Sequence, residues 1–190
     1  MKTTLVALII AAVSGVSSFA ADWLHLPAKE GTANGKKIVL VSGDEEYRTE
    51  ETFPMLAKIL SQKHGFDCTV LFAINPEGGY IDSTFQKNIP GTEALDSADL
   101  MIIGTRFRQL PEDQIANFAE FLNAGKPVIG VRTATHAFSG DAKTGDFKWS
   151  EFGLKILGEK WVNHHGKHKV EGTRSVVVTS NGSHDVLRGV

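Results

Sequence analysis

The chain has 190 residues, with 20 basic and 22 acidic side chains and a formal net charge of −2. This balance, without a basic run carrying interleaved aromatic residues, argues against a nucleic-acid partner. The only cysteine, Cys68, excludes an intramolecular disulfide, and its place in an apolar run predicts a buried thiol rather than a nucleophile.

The first 20 residues have the three parts of a secretory signal peptide. Lys2 provides the positive charge, Leu5 to Val16 form an apolar core, and Ser18-Phe19-Ala20 matches a small-x-small cleavage site. The apolar core is shorter than the roughly 18 residues that a membrane-spanning helix needs. We therefore expect export to the periplasm or extracellular space, with no membrane insertion after cleavage.

Residues 21–36 show no sustained hydrophobic period and are predicted to be a lead-in to one α/β domain at 37–190. Lys37 to Ser42 form a continuous apolar run, which is typical of a parallel strand covered on both faces. The run is the first predicted strand of the domain.

A first helix is predicted from apolar residues at helical spacing, namely Phe53, Leu56, Ala57 and Leu60. Gly65 follows at the position of a helix C-cap. Because proline inside a helix removes a hydrogen bond and crowds the preceding turn, Pro54 predicts that the helix starts near Phe53 or kinks there.

Two further buried strands are predicted at Cys68–Ala73 and Asp99–Thr105. The stretch between them, Asn75 to Gly91, lacks a clear period, which more often marks a functional or mobile loop. A second helix is predicted between Pro111 and Gly125, with an apolar stripe at Ile115, Phe118, Ala119 and Leu122.

The fourth predicted strand, Val128–Val131, runs directly into a polar turn that contains Arg132 and His136. A short helix is predicted around Phe152 to Leu157, and Trp161-Val162 and Ser175–Thr179 are further strand candidates. Alternating strands and helices predict an α/β fold, a flavodoxin-like three-layer sandwich with a mostly parallel sheet.

Polar residues that follow the parallel strands are expected to meet at the carboxyl edge of the sheet. They are Asp44, Glu45 and Glu46 after the first strand, Arg106 and Arg108 after the third, and Arg132, Thr133 and His136 after the fourth. A guanidinium at a buried edge needs an anionic or carbonyl partner. The arginines could pair with Glu45 or Glu46, or bind an anionic or polyhydroxylated ligand, and the sequence leaves both alternatives open.

Histidine is the usual candidate for proton transfer near neutral pH, so His136 and then His164 are the predicted catalytic groups. His164, His165 and His168 lie close together and could bind a divalent metal. The alternative is that they are exposed or hydrogen-bonded without a metal, because adjacent histidines face opposite ways on a strand. Motifs for serine hydrolases, P-loops and dinucleotide binding are absent from the sequence.

The run Lys126-Pro-Val-Ile-Gly-Val-Arg132 resembles the nucleophile turn of class I glutamine amidotransferases, with arginine at the cysteine position. The chain from about Lys37 to Val190 resembles the ThuA-like (trehalose utilisation) branch of that superfamily. The resemblance rests on four segments in order: Lys-Ile-Val-Leu-Val-Ser-Gly43, Gly-Lys-Pro-Val-Ile-Gly-Val-Arg-Thr-Ala-Thr-His136, Ile-Leu-Gly-Glu-Lys-Trp-Val-Asn-His164 and Ser-His-Asp-Val-Leu-Arg-Gly189.

The resemblance implies a role in carbohydrate use, with trehalose or a related glycoside derivative as the substrate class and a small sugar as the partner. Glutamine amidotransfer is not expected, because the cysteine is missing. Many ThuA-like relatives carry histidine at the position of Arg132, an acidic residue at the position of His136, and further chain beyond the position of Val190.

Glu46, Arg106, Arg108, Arg132 and Thr133 are the predicted substrate-binding residues, around His136 as the proton-transfer group. The different-class alternative is a non-catalytic binding or accessory module, in which the arginines and acids form a structural network. The sequence does not specify the oligomeric state.

Overall fold

The computed structural model describes residues 22–167 and 170–188. The predicted signal peptide, residues 1–20, lies outside the described residues. The chain divides after Lys160 into two compact units.

The described residues of the first unit form nine strands and two α-helices. In chain order these are β1 (Trp23–Leu26), β2 (Lys37–Gly43), α1 (Thr49–His64), β3 (Asp67–Leu71), β4 (Ile74–Asn75), β5 (Tyr80–Ile81), β6 (Leu100–Thr105), α2 (Glu112–Asn123), β7 (Val128–Gly130), β8 (Lys143–Thr144) and β9 (Phe147–Lys148). The unit also contains 3-10 helices at Thr92–Ser97, Arg132–His136 and Trp149–Glu151, and a π-helical turn at Gly153–Leu157.

A five-stranded sheet in the order β1-β3-β2-β6-β7 forms the centre of this unit. Strand β2 is parallel to β3 and β6, β6 is parallel to β7, and β1 is antiparallel to β3. Strands β4 and β5 form one small hairpin, and β8 and β9 form another. The predicted α/β class with a mostly parallel sheet is therefore confirmed.

Alternate residues of β2 enter two separate cores, because successive side chains of a strand point to opposite faces. Leu40 lies in a cluster with Phe53 of α1. Val41 lies in a second cluster with Phe118 of α2. Each helix covers one face of the sheet, which explains why β2 is apolar at nearly every position.

Helix α1 begins at Thr49, so the prediction that it starts near Phe53 is wrong, and Pro54 lies inside the helix. Two backbone N–H groups of the first turn donate to the Arg48 carbonyl, at 3.0 and 3.1 Å. The first turn is thus closed before the proline is reached. The predicted end is confirmed, since Gly65 caps the helix with a φ of 73°.

The lead-in contains a strand that the sequence did not indicate. β1 pairs with β3 from Trp23 opposite Leu71 to Leu26 opposite Cys68. Its side chains alternate between exposed and half-buried, so four residues give too short a pattern for prediction. β1 therefore extends the sheet beyond the predicted start of the domain.

The stretch Asn75–Gly91, predicted to be a functional or mobile loop, is fastened to helix α2. Gln114 donates to the Asn88 side chain and accepts from the Ile89 backbone N–H, both at 2.8 Å. β5 also lies within this stretch and pairs with β4. These bonds argue against the mobile alternative for this part of the loop.

The described part of the second unit contains short 3-10 helices at Thr179–Asn181 and Asp185–Leu187 and no strand. The strands predicted at Trp161-Val162 and Ser175–Thr179 are therefore wrong. β-propensity reflects packing on a sheet more than a preference of the backbone. Val176 and Val178 are 78% and 63% exposed, so no such packing supports a strand here.

Among the helices of the described residues, none combines the length and the apolar character required to cross a bilayer.

Candidate functional site

Three turns at the carboxyl edge of the sheet each contain a residue with a left-handed backbone. Arg48 follows β2, Phe107 follows β6 and Arg132 follows β7, and each has a φ of 53°. This conformation costs a residue with a side chain about 1–2 kcal/mol. Strained backbone of this kind is concentrated at functional sites, so this edge is the place to look for a ligand site.

Asp44 connects two of these turns. Its carboxylate is fully buried, and one oxygen accepts the backbone N–H groups of Glu46 and Tyr47 at 2.7 and 3.2 Å. The other oxygen accepts the hydroxyl of Thr133, which also lies 3.1 Å from the Thr105 carbonyl. Because a buried charge is costly without hydrogen bonds, this network holds the turn after β2 against the turn after β7.

Glu45 bridges two arginines of the turn after β6. Its Oε1 accepts from Arg106 Nη1, and its Oε2 accepts from Arg108 Nη2 at 3.0 Å. Arg106 Nη2 also lies 3.1 Å from Glu46 Oε1. The internal-pairing alternative considered for the three arginines is therefore observed for these two.

Arg108, predicted to bind substrate, is fully buried and occupied by the protein itself. Its Nε donates to the Arg106 carbonyl at 2.7 Å, and its Nη1 donates to the carbonyls of Ser83 and Phe85 at 3.1 and 2.9 Å. Burial lowers the pKa of this guanidinium, and the negative charge of Glu45 opposes that effect. The geometry gives Arg108 a structural role in place of the predicted ligand contact.

Thr133, also predicted to bind substrate, is buried, and its hydroxyl is directed at Asp44 and the Thr105 carbonyl. This arrangement again indicates a structural role. The hydroxyl fixes the turn that carries Arg132 and His136.

Arg106 is only partly committed to its carboxylate partners. Its guanidinium carbon lies 4.7 Å from the centre of the Phe107 ring. Its Nε is buried and has no hydrogen-bond partner among the described residues. An unpaired buried donor is costly, so Arg106 is less well satisfied by hydrogen bonds than Arg108.

Arg132 is exposed and lies on an aromatic ring. Its guanidinium carbon is 4.0 Å from the centre of the Tyr47 ring, which is cation–π geometry. Within 22–167 and 170–188, the ion pairs of the structure do not include Arg132. The pairing of Arg132 with Glu45 or Glu46 that the sequence left open is therefore not observed.

His136 is half-buried, with its ring 4.9 Å from that of Phe107 and its Nδ1 3.3 Å from the Thr135 hydroxyl. Burial lowers the pKa of His136, and the charge of Arg106 lowers it further, against the opposing effect of the nearby carboxylates. The imidazole is therefore neutral at neutral pH and able to accept a proton.

The turn that carries Arg106 is fastened to the chain that follows His136. The Phe107 N–H donates to the His136 carbonyl at 2.9 Å, and the Arg108 N–H donates to the Ala137 carbonyl at 2.8 Å. These bonds fix the two turns relative to each other at the sheet edge.

The remaining predicted histidines belong to the second unit. His164 and His165 are exposed, and the His164 ring is 5.8 Å from the Trp161 ring. His168 lies outside the described residues. No group of three histidine, cysteine or acidic side chains in the described part of the chain is arranged to hold a metal ion.

The sequence did not single out Tyr47 or Phe107. Tyr47 closely follows strand β2 and Phe107 closely follows strand β6, so their place in the sequence could have assigned both to the carboxyl edge of the sheet. Their contacts with arginine depend on ring orientation, which the sequence does not reveal. Comparison of the chain with protein-family models, with curated proteins and with solved structures finds no match.

Proposed function

We propose that the chain is an exported ThuA-like domain of flavodoxin-like architecture that binds or acts on a sugar or sugar derivative at the carboxyl edge of its sheet. Trehalose or a related glycoside derivative is the proposed substrate class. The proposal is supported by the order β2-β6-β7, which places three polar turns side by side.

The observation that carries the proposal is the set of polar groups at these turns. Glu46 and Arg132 are exposed and His136 is half-buried. A carboxylate accepts hydrogen bonds, a guanidinium donates them, and a neutral imidazole does both. Sugar hydroxyls require both kinds of partner, so this combination suits a polyhydroxylated ligand. As an enzyme, His136 would take the proton from a substrate hydroxyl.

One observation favours the second candidate, a non-catalytic binding or accessory module. Arg106 and Arg108 are bound by Glu45, and Arg106 also by Glu46. Charged groups committed to one another in this way stabilise a fold without contacting a ligand. The two candidates differ in turnover: the accessory module binds a sugar and leaves it unchanged.

Thermal unfolding of the purified protein with disaccharides, 3-keto-sugars and sugar acids tests the proposal. We expect a sugar to raise the Tm of the wild type and of His25→Ala but not of His136→Ala. His25 is a matched control because it is an exposed histidine on β1, the opposite edge strand of the sheet. An equal shift in all three proteins would contradict the assignment of the site.

Chromatography of the stabilising sugar after incubation then separates the two candidates. A product that the wild type forms and His136→Ala does not would support catalysis. An unchanged sugar would support the binding module.

Export is tested separately by fractionating cells that express the full chain and sequencing the N-terminus of the recovered protein. We expect the mature protein to begin at Ala21 and to be found outside the cytoplasm, because residues 1–20 carry the charge, apolar core and cleavage site of a signal peptide. A cytoplasmic protein that still begins at Met1 would contradict this.

A further inference from the structure

We infer that the ligand of this edge carries an oxyanion, a carboxylate or a phosphate, which Arg132 binds. The inference rests on the proposed sugar site and specifies the charge of its ligand. A sugar acid or a sugar phosphate would then be preferred over the neutral sugar.

The acidic side chains of the turn after β2 already have partners within the protein. Both oxygens of Glu45 bind arginine, one to Arg106 and one to Arg108. Glu46 lies 3.1 Å from Arg106, and both oxygens of Asp44 accept hydrogen bonds within the edge. Asp44 and Glu45 are thus committed through both oxygens, and Glu46 through Oε1.

The positive charge of Arg132, in contrast to those of Arg106 and Arg108, is not paired with a carboxylate among the described residues. Its contact within the described residues is the ring of Tyr47. An aromatic ring attracts a cation through its quadrupole but carries no formal charge. The side-chain hydrogen bonds of the described residues include none donated by Arg132.

The backbone that carries the two partners of the Arg132–Tyr47 contact is anchored to Asp44. The Tyr47 backbone N–H is bound to the buried Asp44 carboxylate at 3.2 Å, so the ring beneath Arg132 is anchored at its main chain. The next residue, Thr133, binds the same carboxylate. Arg132 is therefore anchored through its ring contact and through its chain neighbour.

The groups that Arg132 offers to a ligand are the N–H donors of its guanidinium. The N–H donors of a guanidinium lie in its own plane, where they form a planar fork that matches the two oxygens of a carboxylate or phosphate. A neutral hydroxyl would use one donor and leave the charge uncompensated. An oxyanion uses two donors of the fork and compensates the positive charge.

Isothermal titration with glucose, glucuronate and glucose 6-phosphate tests the inference, because these sugars differ only at carbon 6. We expect the wild type to bind at least one of the two anions on the order of tenfold more tightly than glucose. Comparison of the two anions shows whether the oxyanion is a carboxylate or a phosphate. The preference should weaken as the salt concentration rises.

Arg132→Asn should abolish this preference, because asparagine tolerates the left-handed backbone at this position but has no charge. Arg48→Asn is the matched control: Arg48 has the same φ of 53°, is exposed, and is already paired with Glu51. The control should keep the preference for the anion. Should Arg132→Asn not fold, Arg132→Gly removes the guanidinium at a position where glycine is unstrained.

Equal affinity for glucose and for both anions would overturn the inference, as would a preference that survives in Arg132→Asn. If a neutral sugar then binds to the wild type and not to His136→Ala, the proposed sugar site is supported although the inference of an anionic ligand is wrong. The absence of binding by any neutral or anionic sugar, including the disaccharides and 3-keto-sugars above, would overturn both.

Discussion

The Thr133 hydroxyl donates a hydrogen bond to the buried carboxylate of Asp44, a residue 89 positions earlier in the chain. The bond joins the turn after β7 to the turn after β2, while strand β6 lies between these two strands in the sheet. The positions of Tyr47 and Arg132 relative to each other depend on this link, since each is a near neighbour of one of its two members.

Thr133→Val should therefore destabilise the protein by about 1–3 kcal/mol, because a buried carboxylate oxygen loses its donor while the side-chain shape is kept. Thr133→Ser is the matched control, since it retains the hydroxyl. Urea unfolding of the three proteins gives the comparison. If Thr133→Val and Thr133→Ser lower the free energy of unfolding by the same amount, the hydroxyl does not stabilise the Asp44 carboxylate.

Removing the carboxylate of Glu45 should lower the free energy of unfolding more than removing that of an exposed glutamate. Glu45→Gln leaves the fully buried Arg108 without its anionic partner. The loss of one partner of a buried ion pair costs about 3–5 kcal/mol, and we expect about 3 kcal/mol, because the Glu45 side chain is 22% exposed.

Glu51→Gln is the control for this prediction, because Glu51 pairs with Arg48 and both side chains are exposed. Such a pair contributes about 0–1 kcal/mol. Equal losses of unfolding free energy in Glu45→Gln and Glu51→Gln would show that Arg108 does not depend on Glu45.

Arg132→Gly should leave the protein about as stable as the wild type, more stable than Arg132→Ala, and less able to bind its ligand. Glycine relieves the left-handed backbone, a gain of about 1–2 kcal/mol, and loses about 0.5–1 kcal/mol through its greater freedom in the unfolded chain. The cation–π contact with Tyr47 is also lost, at a cost of about 0.5–1 kcal/mol, so we expect a net change near zero relative to the wild type.

Arg132→Ala provides the comparison, because it removes the same guanidinium and keeps the strained backbone. Thermal unfolding should give Arg132→Gly a higher Tm than Arg132→Ala and a Tm close to that of the wild type. A glycine variant no more stable than the alanine variant would show that the backbone at Arg132 stores no strain.

The fold was predictable from the sequence wherever burial on both faces of the sheet left a continuous apolar run. Strand β2 follows from such a run, since Leu40 and Val41 are both fully buried, whereas helix α2 follows from an apolar stripe at helical spacing, of which Phe118 fills one core. β1 was missed because it is a short edge strand with one exposed face. The segment Ser175–Thr179 was misassigned because its valines have high β-propensity but no sheet to pack on.

The location of the candidate site was predictable to the same extent, because topology brings strand ends to one edge. The roles of its residues were not. Arg106, Arg108 and Arg132 look alike in the sequence, yet one is divided between two glutamates, one is buried among carbonyls, and one lies on Tyr47. These differences depend on side-chain geometry that strand order does not fix.

The stability of the protein should depend on pH through His136. Burial and the charge of Arg106 lower the pKa of this imidazole in the folded protein below its value of 6.5 in the unfolded chain. The unfolded state therefore binds more protons at mildly acidic pH, and folding stability falls as the pH decreases from 6.5 towards the folded pKa. Well above 6.5 the histidine is neutral in both states, and the dependence on pH vanishes.

His136→Gln should remove this contribution, because glutamine keeps polar atoms at the site but does not titrate. Urea unfolding at several pH values between 5 and 8 measures the difference in unfolding free energy between wild type and variant. We expect the difference to be constant well above pH 6.5 and to shift in favour of the variant as the pH falls through 6.5. A difference that shifts in favour of the wild type at low pH would mean that the folded pKa is raised, and that Glu45, Glu46 and Asp44 outweigh burial at His136.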